Sequence, residues 1–168
     1  MQIPHKNNSG YSLWNRILLT GFIAGTLDAT AASIQVYLKT GKGPVIIFVY
    51  IASGVFGKEA FSMSQYIAFA GLLFHYLIAI SFTAFYFLIY PKIKWLHWNK
   101  ILNAVIYGIF VWFVMNRVVV PLSKAQSFPF DIQKALVAAG ILIVCIGVPV
   151  SFIASSFYKN RLNKKDYD

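Results

Sequence analysis

The hydrophobic positions of this chain gather into four long runs and one short one, with the polar positions collected between them. The first run, Trp14 to Leu38, would extend ~38 Å as a helix, enough to cross a hydrocarbon core of about 30 Å. Its small and polar residues share one helical face: Gly21, Gly25, Asp28, Ala32 and Gln35 follow i, i+4, i+7, i+11 and i+14. That face predicts close contact with other helices rather than with lipid, with Gly21 and Gly25 as the packing residues. The short run, Pro44 to Phe56, would reach only ~20 Å and cannot span. It predicts a short interfacial or re-entrant helix over 44–56, opened by Gly43-Pro44 and stopped by Gly54 and Gly57. Three further runs predict spans over 66–90, 101–120 and 135–158. Pro91-Lys92-Ile93-Lys94 with Trp95 and Trp98 closes the first of these as an interfacial anchor. Gly140, Gly147 and Pro149 loosen the last and predict a kink near Pro149. The expectation is an all-α membrane protein of four transmembrane helices plus the short helix, with spans at 14–38, 66–90, 101–120 and 135–158, in a single integral membrane domain over 1–168.

Composition agrees with the pattern. Of 168 residues, 58% are hydrophobic and 12% charged, whereas soluble chains carry about a quarter charged residues. The formal charge of +10 does not point to nucleic acid, because the cations sit in short loops and tails beside apolar runs. Four spans put Lys6, Arg16, Lys92, Lys94, Lys100, Lys159, Arg161, Lys164 and Lys165 on one side, nine cations in all. Lys39, Lys42, Lys58, Lys124 and Lys134 make five on the other, so both termini are expected in the cytoplasm. Lys6 and Arg16 ahead of an apolar stretch resemble a signal peptide, but Asp28 interrupts it, and the first run is read as a retained span. The one cysteine, Cys145, forms no internal disulfide and leaves no thiol cluster for a metal.

The candidate chemistry is a buried polar cluster of Asp28, His75, Asn116 and Arg117. Counting from the cytoplasmic ends at 1.5 Å per residue puts Asp28 at ~18 Å, His75 at ~24 Å and Arg117 at ~26 Å. A charge at such depth costs about 2.5–3.5 kcal/mol on insertion scales, which favours pairing inside a bundle. Asp28 with Arg117 is the expected ion pair, and His75 and Asn116 the expected hydrogen-bonding neighbours. The pair reads equally as structural glue or as a functional site. Arg117 also lies close enough to the outer end to snorkel towards phosphates, and a lone His75 fits a hydrogen-bonded interior residue as readily as a ligand. No catalytic, cofactor-binding or metal-binding residues are assigned. Ser53-Gly54 is similar to the serine of intramembrane proteases, but Ile51 stands where that motif has glycine, and no paired histidines or phosphate loop occur.

The succession Gly21-x-x-Ala24-Gly25, Ile51-Ala52-Ser53-Gly54, His75 and Tyr90-Pro91-Lys92-Ile93-Lys94 resembles the YagU-like family of small bacterial inner-membrane proteins. Tyr107-Gly108 and Val119-Val120-Pro121-Leu122-Ser123 extend the resemblance, which covers Leu18 to Ser123. It implies a bacterial inner-membrane protein without an assigned reaction, and it carries over no catalytic residue. Two roles follow as expectations. One is a non-enzymatic helper or subunit packing through its helices, with membrane lipids and a homo-oligomer or other membrane proteins as partners. The other is a small oligomeric proton- or solute-linked transporter using Asp28, His75 and Arg117, since four spans are few for a transporter.

Overall fold

The computed structural model describes residues 12–63, 66–126 and 129–165, with side chains as far as Asn160. Lys6, and the side chains of Arg161, Lys164 and Lys165, all part of the cation count, lie outside the described residues. The described chain is helical, without strands. Helix α1 is Leu13–Thr40, α2 is Val45–Phe56, and a 3-10 turn Gly57–Phe61 follows. Helix α3, Ile67–Ile89, runs on through a 3-10 turn to Lys92; α4 spans Lys100–Leu122 and α5 spans Ile132–Asn160. Apart from α2, each of these is long and apolar enough to cross a membrane. The 12 residues of α2 are not, since at 1.5 Å per residue they cover only ~18 Å.

Local chemistry sets the helix limits. The Asn99 side chain opens α4 by accepting the N–H groups of Ile101 and Leu102 at 2.9 and 3.2 Å. Asp131 opens α5 in the same way, from Gln133 at 3.0 Å and Lys134 at 3.2 Å. These caps satisfy backbone donors that a first turn leaves unpaired. Helix α1 closes on Gly41, whose φ of 68° suits glycine and whose N–H reaches the Tyr37 carbonyl at 2.8 Å. The helices extend past the expected spans because capped polar turns, such as Gln133-Lys134, carry no hydropathy signal.

Both interior prolines are announced by a wide turn. Met115–Val119 precedes Pro121 and Ile143–Gly147 precedes Pro149, each as one π-helical turn. A proline lacks the N–H that would bond the carbonyl four residues back and crowds that carbonyl with its ring. Widening the preceding turn relieves the conflict without breaking the helix. The loosening expected at Pro149 thus takes the form of a π turn.

Helix α1 packs on α3 and on α5, α4 packs on α5, and α2 lies along α3. Glycines make three of these seams. A Cβ on Gly21 would stand 2.9 Å from the Ile80 Cα, and one on Gly25 3.1 Å from the Ala79 Cβ. One on Gly71 would fall on the Phe48 carbonyl, joining α2 to α3; one on Gly147 would fall on the Ala104 carbonyl, joining α5 to α4. Gly108 faces the Ile143 Cα, 2.5 Å from where its own Cβ would be. Removing the side chain lets backbones meet, which is how membrane helices gain dispersion contact when lipid supplies no hydrophobic drive.

The bundle has two ends. The α3–α4 end holds the start of α1 and the finish of α5, with Trp14, Trp95 and Trp98 exposed beside Lys92, Lys94 and Lys100. Its core joins Ile17, Tyr86, Phe87, Tyr107, Val111 and Val150. Tyrosines tie it across helices: Tyr107 donates to the Phe82 carbonyl at 2.5 Å and Tyr158 to the Phe87 carbonyl at 2.7 Å. Tyr86 donates to the Ser151 hydroxyl at 3.2 Å, and Ser151 to the Lys100 carbonyl at 2.9 Å. The α2 end is closed by α2 itself. There the Lys124 N–H reaches the Gly54 carbonyl, and the Tyr50 hydroxyl the Gln126 carbonyl, both at 2.9 Å.

Candidate functional site: an acid and an imidazole in the α2-end half

Helix α3 brings His75 against α1, where its Nε2 bonds the Gly25 carbonyl at 2.8 Å. A carbonyl only accepts, so Nε2 carries the proton in that bond. Glycine at position 25 leaves the carbonyl open to the ring, because a side chain there would meet Tyr76 and Ala79. Phe48 of α2 approaches the imidazole edge to face, with centroids 6.3 Å apart. His75 is therefore held between α1 and α2, with its tautomer set by the helix backbone.

Asp28 lies three residues, or most of a turn, beyond Gly25 on the same face of α1. It is half-buried, and His75 and the buried Cys145 in the π turn of α5 are its nearest ionisable neighbours. Among the described residues the ion pair present is Lys134 with Asp131, 3.1 Å apart at the start of α5. Asp28 thus has electrostatic neighbours without a direct counter-ion.

The structure brings together Asp28 and His75 from the expected cluster and separates the other two. Arg117 is exposed, its guanidinium 5.2 Å from the centre of the Phe130 ring. Asn116 is exposed too and donates from Nδ2 to the Trp112 carbonyl at 2.9 Å. The expected Asp28–Arg117 ion pair is not formed. Facing on α4 is the reason. Buried positions on α4 run through Asn103, Ala104, Tyr107, Gly108 and Val111. Continuing that stripe at helical spacing passes Met115 and leaves Asn116 and Arg117 on the outer side. Ser53 is buried with its hydroxyl on the Tyr50 carbonyl at 2.6 Å, so its bond is local and not to His75.

Gly71, Gly108, Gly147 and Cys145 also shape the site and its frame, and sequence reasoning gave them no such role. Pro149 was the available signal for Cys145, which lies four residues before it and so sits where the helix must widen. Among the described residues no three His, Cys, Asp or Glu side chains gather as a metal-ligand set. No protein-family profile, curated protein or solved structure matches this chain.

Proposed function

We propose that this multi-pass membrane protein works by binding and exchanging protons at Asp28 and His75, without bond-making catalysis. The observation that supports it is the bond from His75 of α3 to the Gly25 carbonyl, most of a turn from Asp28 on the same face of α1, with Arg117 turned outward. Ionisable groups inside a membrane are costly and mark relays or substrate paths where no counter-ion explains them. His75 holds one proton in its bond to Gly25, and Asp28 offers a second acceptor beside it. A path across the membrane would need more than four spans to enclose it, so the proposal includes a homo-oligomer. It also includes the bacterial inner membrane and the kinship with YagU-like proteins, supported by the motifs between Leu18 and Ser123. Cytoplasmic termini are supported by the nine-to-five distribution of Lys and Arg.

Infrared difference spectroscopy on the protein in native lipid tests the site. A protonated-carboxyl band should appear as pH falls, lose one component in Asp28→Asn and have that component shift in His75→Gln. A band unchanged in Asp28→Asn would overturn proton exchange and leave the reading as a helper or subunit. Reporter fusions test the orientation separately: cytoplasm after Lys94 and at the C-terminus, periplasm after Lys42.

A further inference from the structure

The seam between α3 and α4 is closed by rings rather than by glycine. Gly21 and Gly25 close α1 on α3, and Gly108 and Gly147 close α4 on α5, but no glycine draws α3 onto α4. Those two helices are linked instead by Tyr107 on the Phe82 carbonyl and by the stacked rings of Phe85 and Phe110, 5.6 Å apart. Towards the α2 end they leave a groove of about 460 Å3, lined by Leu77, Ser81 and Phe85 of α3 and Phe110, Val114 and Val119 of α4.

From Leu77 to Phe85 is eight residues, so the groove runs ~12 Å along α3. Its lining is apolar but for Ser81 and it lies open along its length, so an extended hydrocarbon chain can lie in it.

Charge decides what that chain is attached to. Arg117 lies on the turn between Val114 and Val119, which line the groove towards the α2 end. It is five residues short of Leu122, ~8 Å below the helix end, and exposed enough to snorkel to the interface. The ring of Phe130 supports its guanidinium, and among the described residues no carboxylate lies within ion-pair distance of it. A planar cation of this kind takes a phosphate through paired N–H bonds. We propose that the α3–α4 groove holds an acyl chain of one anionic phospholipid, whose phosphate rests on Arg117. The headgroup then lies at the α2 end, and the chain runs inward between Leu77 and Val114 to the Phe85–Phe110 stack.

The test uses the full chain in phosphatidylcholine nanodiscs, with phosphatidylglycerol of the same acyl chains titrated in. Native mass spectrometry reads the lipid retained. One phosphatidylglycerol should be kept per chain in preference to phosphatidylcholine. Arg117→Gln should cut that preference about fivefold, the effect of one cation at a lipid surface, while Arg117→Lys keeps most of it. Ser81→Phe, which fills the exposed groove, should reduce retention of both lipids. Graded uptake without a one-to-one step, annular lipid only, would overturn the proposal. So would a preference intact in Arg117→Gln, or a dimer dissociated by Ser81→Phe, which would assign the groove to a second copy.

Discussion

At the α3–α4 end, Tyr86, Tyr107 and Tyr158 reach across the bundle to a hydroxyl or a carbonyl, and aromatic rings fill the space between them. At the α2 end, the same helices carry Asp28, His75 and Cys145, and a short helix too brief to span lies against His75 through Phe48. The first end joins its tyrosine hydroxyls to partners on other helices, while the buried Thr20 hydroxyl has no hydrogen-bond partner among the described residues. The second keeps two ionisable groups near each other, with no counter-ion among the described residues. The contrast teaches that the ionisable groups lie away from the half tied by the Tyr86, Tyr107 and Tyr158 bonds.

The largest effect should come from crowding the tied half. Gly147→Val would push a side chain into the Ala104 carbonyl, and overpacking of that kind costs about 1–3 kcal/mol, here at the upper end because backbone must move. Gly140→Val in the same helix meets nothing within 4 Å and should change stability by less than ~0.5 kcal/mol. Thermal unfolding in one lipid mixture compares the two. Equal losses would erase the distinction between the halves.

A smaller effect separates the two ends by chemistry. Tyr107→Phe removes the 2.5 Å bond to Phe82 and should cost about 1 kcal/mol, since the carbonyl keeps its helical donor. Asp28 and Arg117 should behave as strangers. Asp28→Asn combined with Arg117→Gln is expected to equal the sum of the single changes within ~0.5 kcal/mol in unfolding measurements, because they share no contact. A recovery in the double variant would restore the ion pair and weaken the proton-binding reading.

The smallest effect lies at the surface of the α2 end. The Lys134 backbone N–H, followed by the Lys134 side chain, holds the Asp131 carboxyl below its ordinary value of 3.8. A lowered value means the cap contributes fully above pH 3.8 and is lost as pH falls through the lowered value. Stability from this group should therefore be flat from neutral pH down to that point. Asp131→Asn, which still caps, should remove the acid-side decline when the two proteins are titrated side by side.

The spans were legible because membrane helices declare themselves by apolar length, and α2 by falling short of it. Gly21 and Gly25 were legible because small residues recur at helical spacing on α1. Asp28 and His75 were brought together by counting rise per residue from the flanking cations. The outward facing of Asn116 and Arg117 was not legible, since depth says nothing of azimuth and the wide turn before Pro121 shifts it further. Gly71, Gly108 and Gly147 stand alone in apolar runs, and a glycine that touches a carbonyl leaves no mark on its partner. The tyrosine bonds share that difficulty, because Phe82 and Phe87 accept through backbone atoms that any residue would supply.

The π turn at Ile143–Gly147 also sets the phase of α5. A wide turn is in effect one extra residue absorbed without breaking the helix, and each residue advances an α-helix by about 100°. The stripe of Val150, Ser151 and Ala154 that meets the core is therefore offset from anything extrapolated out of Ile132–Leu142. Chain length at this point is a soft variable. Deleting exposed Val144 would let the turn tighten to ordinary pitch while the segment beyond Pro149 kept its seat against α4. Homologous sequences aligned through this region should tolerate a one-residue gap there, and nowhere else along α5.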